Sequence, residues 1–158
     1  MNLKLIKMEN QNYNRVITSA LTAKETFDSI NDVPSWWTED FEGSAQNRDD
    51  IFTVRFGDIF KTFIVTESIP GQKMVWQVTD CYMPWLSNKH EWTGTSVIWE
   101  ISTVNNTTQV SMTHIGLVPA VECYTDCEKG WNYYINESLA KLLNGGKAKP
   151  EPVKIKTM

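Results

Sequence analysis

The side chains in this 158-residue chain that could do chemistry are few: two histidines, three cysteines, and a serine and tyrosines near the C-terminal end. His114 alternates with Val110 and Met112, so on a strand it faces the way the apolar residues face. An imidazole there serves either as a general base or donor in a pocket, or as a structural partner to a backbone group or aromatic hydroxyl. The structural role is the expectation. His90 lies between Lys89 and Glu91 in a polar stretch and reads as solvated. Cys123 and Cys127, four apart, would be neighbours on a helix, placed to take a soft metal or to sense redox change. A metal wants three or four protein ligands. With the histidines elsewhere, and nothing requiring Cys81 nearby, free, partly buried thiols are expected. Neither Gly-x-Ser-x-Gly nor His-Glu-x-x-His occurs, and no glycine-rich loop follows the first strand. Glu100, between Trp99 and Ile101, points away from the apolar face, and Glu67 falls near a strand end. No acid/base pair emerges, so no catalytic residue, metal or cofactor is assigned.

The element that must position these groups runs from Val121 to Asn144. At helical spacing Tyr124, Cys127, Trp131, Tyr134, Ile135, Leu139 and Leu142 gather on one side. Glu122, Asp126, Lys129, Tyr133 and Asn136 gather on the other. Gly145-Gly146 stops the helix, and Pro150 and Pro152 prevent its resumption. Two small residues interrupt the apolar side: Ser138, where a large residue is expected, and Gly130, at about 1 kcal/mol relative to Ala. They imply close backbone approach or room for something else.

Upstream, Tyr13 to Leu21 reads as a strand, and Thr22 with Glu25 forms a capping box opening a short helix that buries Ala23, Phe27 and Ile30. Pro34 starts a second short turn carrying Trp36-Trp37. The period then becomes two. Phe41, Gly43 and Ala45 alternate, then Phe52, Val54 and Phe56 up to a Gly57-Asp58 hairpin. Ile59 to Ile69 is a strand apolar on both faces, leaving its inward side open, and Pro70-Gly71 makes a type II turn. Strands follow over 73–82, Trp92 to Ser102 and Thr108 to Gly116, with an irregular segment at 83–91. Consecutive strands with short turns pair antiparallel, and only the long helix can cover their apolar face. The predicted class is α+β: a curved antiparallel sheet of six to seven strands around a C-terminal helix, with two short helices after the first strand.

One domain spanning 1–158 fits the length, with an ordered core of about 12–146 and a loose tail over 147–158. A net charge of −4 without a basic run argues against nucleic acid. The first fourteen residues lack the apolar core of a signal peptide, and no segment is long enough to span a membrane, so a cytoplasmic location is expected. Seven tryptophans, six phenylalanines and five tyrosines exceed what a core of this size needs. Each tryptophan can be accounted for by packing, yet some are expected to line a concavity.

Four stretches in order, FDSINDVPSWW (Phe27 to Trp37), IVTESIPGQKMVWQV (Ile64 to Val78), TQVSMTHIGLV (Thr108 to Val118) and Gly130-Trp131 opening GWNYYINESLAKLL, cover nearly the whole chain from Tyr13 to Gly146. Together they resemble the START-like superfamily (SRPBCC, Bet v 1-like or helix-grip), and within it the family named for the activator of the heat-shock-protein-90 ATPase. That resemblance implies a cavity between sheet and long helix. By strand parity its walls would include Phe56, Trp76, Trp99, Met112 and His114, with Trp131, Tyr134 and Ser138 from the helix. Trp37 and the Trp85-Leu86 loop would guard the mouth. The superfamily includes lipid carriers, hormone receptors and polyketide cyclases. The expectation is a binder of a small, largely apolar molecule. The alternatives are an interaction module with a protein partner, or a cyclase- or hydratase-like enzyme using His114 and a buried tyrosine.

Overall fold

The computed structural model describes residues 11–153. Seven strands form one antiparallel sheet: β1 (Tyr13–Ser19), β2 (Phe41–Gly43), β3 (Ile51–Phe56), β4 (Ile59–Ile69), β5 (Lys73–Tyr82), β6 (Ser96–Val104) and β7 (Thr107–Ile115). The spatial order β1-β7-β6-β5-β4-β3-β2 makes every pair except β1–β7 a sequence neighbour. Hairpin chemistry accounts for this order. Gly57 takes φ 65° between β3 and β4, and Asn105 and Asn106 take φ 51° and 63° between β6 and β7, the left-handed pair a two-residue turn requires.

Between β1 and β2 lie α1 (Ala23–Asn31) and a single 3-10 turn, Val33–Ser35, in place of a second short helix. The capping box is present: the Glu25 amide donates to Thr22 Oγ1, and the Thr22 amide donates to the Glu25 carboxylate. The covering helix starts at Tyr124 and runs through α2 (Tyr124–Tyr133), a π-helical stretch (Tyr134–Leu139) and a final turn, α3 (Ala140–Leu143). A π-helical stretch turns less per residue than an α-helix. The buried stripe therefore slips by one position, and Leu143 is fully buried where regular spacing had put Leu142.

The inner face of β4 is settled by Phe63 and Val65, both 0% exposed, and by Lys61 beside them. Phe60 and Ile64 occupy the outer side of the same strand, so no alternation could be read from the sequence. Two further expectations change. Trp92 precedes β6, which begins at Ser96. The stretch after Gly146, expected as a loose tail, is hydrogen-bonded as far as Glu151. Glu151 forms a parallel bridge with Thr38: the Glu39 amide donates to the Glu151 carbonyl, and the Glu151 amide donates to the Trp37 carbonyl. Residues 154–158 of that tail, and residues 1–10, including most of the segment judged not to be a signal peptide, lie outside the described residues. Among the described residues no helix is long and apolar enough to cross a membrane.

Candidate functional site

The inner face of the sheet carries a dense aromatic cluster. Trp36, Trp76 and Trp99 are fully buried, with Trp76 and Trp99 meeting edge to face at 5.5 Å. Their position follows from strand parity, but the parity leads into solid packing: Trp76, Trp99 and Met112 are 1% exposed or less and sit behind the walls of any open space. The indole N–H groups of Trp76, Trp92 and Trp99 have no hydrogen-bond partner among the described residues. Edge-to-face packing is where such a group loses least.

His114 lies in that packing, and its two ring nitrogens are both engaged. Trp131 Nε1–H donates to Nδ1 at 3.0 Å, and Nε2 lies 2.9 Å from Thr95 Oγ1. Because the indole can only donate, Nδ1 is unprotonated and Nε2–H donates to Thr95. The Thr95 hydroxyl in turn donates to the Trp92 carbonyl at 2.6 Å. Burial, with a smaller contribution from the Lys61 charge, pushes the His114 pKa down to about 3. The ring is a neutral strut between α2, β7 and the loop before β6, and it offers no free nitrogen to a ligand.

Ser138 is likewise spoken for. Its hydroxyl donates to the Trp36 carbonyl at 2.6 Å and accepts the Lys149 amide at 2.8 Å. The small residue on the helix seam is thus a latch for the segment after Gly146. Tyr134, half-buried, donates to the Glu151 carboxylate at 3.1 Å. Burial first, and then Glu151, raise its phenol above the ordinary range.

Room exists at Gly130. A cleft of about 200 Å³ opens between the β3–β4 hairpin, the loop before β6 and α2. It brings together five of the ten residues expected at a cavity: Trp37, Phe56, Trp85, Trp131 and Tyr134. Trp76, Trp99, Met112, His114 and Ser138 do not reach it. Six others line it that parity did not indicate: Ile59 and Lys61 from β4, Trp92, and Asp126, Cys127 and Gly130 from α2. Trp92 and Trp131 stack at 6.0 Å with 10° between planes, and Trp37 lies 4.8 Å from Trp131. A Cβ at Gly130 would meet nothing within 4 Å, so this glycine leaves space open and accommodates no backbone approach. Trp85 is 45% exposed at the rim. The loop carrying Trp85 and Trp92 is tied to the start of α2: the Cys123 amide donates to Glu91 at 3.0 Å, and the Ser87 amide donates to Glu122.

Lys61 is the residue that the sequence pattern concealed. Its side chain is 9% exposed, and Nζ sits 4.4 Å from the centre of the Trp92 ring and 5.2 Å from that of Phe56. Burial lowers its pKa to about 8, partly offset by Cys81 across the strand pair. The signal was available in principle: one lysine, the single basic residue of β4, set among Ile59, Phe60, Phe63, Ile64 and Val65. Cys123 and Cys127, expected as free thiols, are joined in a disulfide, with Cα atoms 5.6 Å apart, while Cys81 is free and buried. Among the described residues no group of three or more His, Cys, Asp or Glu side chains is placed to hold a metal.

No family model and no curated protein matches the chain. Solved structures do. The Aha1 dimer from Colwellia psychrerythraea is 24% identical, with 84% of this chain and 95% of that one covered, at a TM-score of 0.69. A protein from Mesorhizobium loti is 12% identical over 84% and 96% of the two chains, at 0.67. A protein of the dynemicin biosynthetic locus is 14% identical over 90% of this chain and 51% of its own, at 0.65. The shared feature is the fold. The curved sheet closed around a C-terminal helix is the helix-grip arrangement that the sequence resemblance implied.

Proposed function

We propose that the protein binds one small, largely apolar molecule in the cleft beside Gly130. The observation that supports this reading most is the combination of that glycine, which leaves the helix surface bare, with the aromatic walls facing it. A volume of about 200 Å³ is modest. An engineered apolar cavity of about 150 Å³ takes benzene, whereas drug-sized ligands occupy roughly 300–1,000 Å³. The cleft suits a single ring or a short chain, not a lipid. Burying about 200 Å² of such a molecule contributes about 5 kcal/mol at 25 cal/mol per Å², a dissociation constant on the order of 0.1–1 mM.

Bromobenzene tests this reading, since bound bromine quenches adjacent indoles. Saturable quenching of the wild-type tryptophan fluorescence, abolished in Gly130→Leu, is the expected result. Equal quenching in both proteins places the contact outside the cleft.

The interaction-module reading draws on the fold likeness to the Aha1 dimer alone. Large exposed apolar residues such as Val16, Ile51 and Val104 fall on separate strands. The cyclase- or hydratase-like reading loses its intended base, because both His114 nitrogens are occupied.

A further inference from the structure

A cation taken out of water needs a counter-charge, and Lys61 lacks one. Its neighbours along the inner face of β4, Phe63 and Val65, are fully buried, and its own side chain is 9% exposed. Among the described residues its ammonium takes part in no ion pair within 4.0 Å. What it touches instead are ring faces, Trp92 at 4.4 Å and Phe56 at 5.2 Å. Ring faces attract a cation by about 0.5–2 kcal/mol, less than removal from water costs.

The other charged groups nearby do not fill the gap. Asp126 lines the same cleft, but it is exposed at the rim on α2. His114 behind the wall is neutral, and Cys81 faces Lys61 across the β4–β5 pair. With its pKa near 8, the amine is still mostly ammonium at pH 7. The ammonium therefore stands in the wall of an apolar cleft as an unpaired positive charge with open space before it.

We propose that the cleft selects a small monocarboxylate, an aromatic or short aliphatic acid whose carboxylate pairs with Lys61 while its apolar part lies against Trp92 and Trp131. This rests on the cleft being the binding site and adds the class of ligand. One ammonium matches one negative charge, so a monoanion is favoured over a phosphate ester or diacid. In a partly dry setting, a charge-assisted hydrogen bond is stronger than a neutral one. The cleft's size restricts the apolar part to about one ring.

The test compares benzoate with benzyl alcohol, which have the same ring and nearly the same size, by calorimetric titration at pH 7. Wild type is expected to bind benzoate about tenfold more tightly or better, a difference of about 1.4 kcal/mol. In Lys61→Met that preference should vanish while benzyl alcohol affinity stays within about threefold, the change expected when only the charge pairing is lost. Lys61→Gln provides a second variant if the first does not fold. Equal or tighter binding of benzyl alcohol to wild type overturns the inference and leaves the cleft reading standing. Persistence of the benzoate preference in a folded Lys61 variant overturns it as well, because another group would be reading the carboxylate. Saturation by neither ligand overturns the inference and the cleft reading together.

Discussion

Trp131 Nε1–H donates to His114 Nδ1 at 3.0 Å, and this one contact fixes which proton the imidazole carries. Protonating Nδ1 would set two donors against each other in a buried site. The folded pKa, about 3, lies below the ordinary 6.5, so the unfolded chain binds the proton first. His114 thus contributes stability that is complete above pH 6.5 and is lost as pH falls towards 3.

Urea unfolding between pH 7 and pH 4.5 measures this. Below pH 6.5 the free energy of unfolding should drop by roughly 1.4 kcal/mol per pH unit from this group. In His114→Gln that component should be absent. An unchanged acid slope in the variant contradicts the neutral-strut account.

Lys61 shifts in the same direction but in a higher window, so at neutral pH it still carries its charge and its penalty. Its folded pKa of about 8 lies below the ordinary 10.5. The penalty is therefore present in full below pH 8, and is relieved as pH rises from 8 to 10.5. Lys61→Met should stabilise the protein at pH 7 by about 1–3 kcal/mol, read from the shift in denaturation midpoint. Destabilisation by the same change would mean that the ammonium has a partner.

The same protonation governs an acidic ligand. The groups facing Lys61 are Cys81 on β5, neutral His114 on β7 and exposed Asp126 on α2. Benzoate affinity should hold from pH 6 to 7.5 and weaken as Lys61 loses its proton above about pH 8, by up to about tenfold per pH unit. Benzyl alcohol should show no such dependence. A flat benzoate profile to pH 9.5 contradicts the pairing.

Ser138 makes two hydrogen bonds, to the Trp36 carbonyl and from the Lys149 amide. Ser138→Ala should cost about 1–3 kcal/mol. It should also free the segment around Lys149, seen as faster amide exchange there and earlier tryptic cleavage after Lys147, since Pro150 protects the bond after Lys149. Ser138→Leu would unseat the same latch, so any loss of binding in it reports on folding and not on the cleft.

The order of elements was legible because it depends on local signals: the capping box at Thr22 and Glu25, the Asn105-Asn106 turn, the glycines after Leu143. The side of each strand that faces inward was legible too, wherever one face was polar. β4 was not, because Phe60 and Ile64 lie on its outer side while Lys61 points inward. Parity also cannot say where packing ends and space begins. It placed Trp76, Trp99 and Met112 on the inner face, but their depth is set by Trp36 and the helix above them. The two small residues on the helix looked alike in sequence. Tertiary partners alone separated Ser138, a latch, from Gly130, an opening.

The central claim concerns the space beside Gly130, and isotope-filtered NOEs from protonated toluene to labelled protein test it most directly. The account predicts contacts from toluene to Ile59, Trp92 and Trp131, lost in Gly130→Leu, whose helix should be no less stable because a helical glycine is replaced by a better helix former. Contacts only to residues elsewhere, or an unchanged set in the variant, would contradict it.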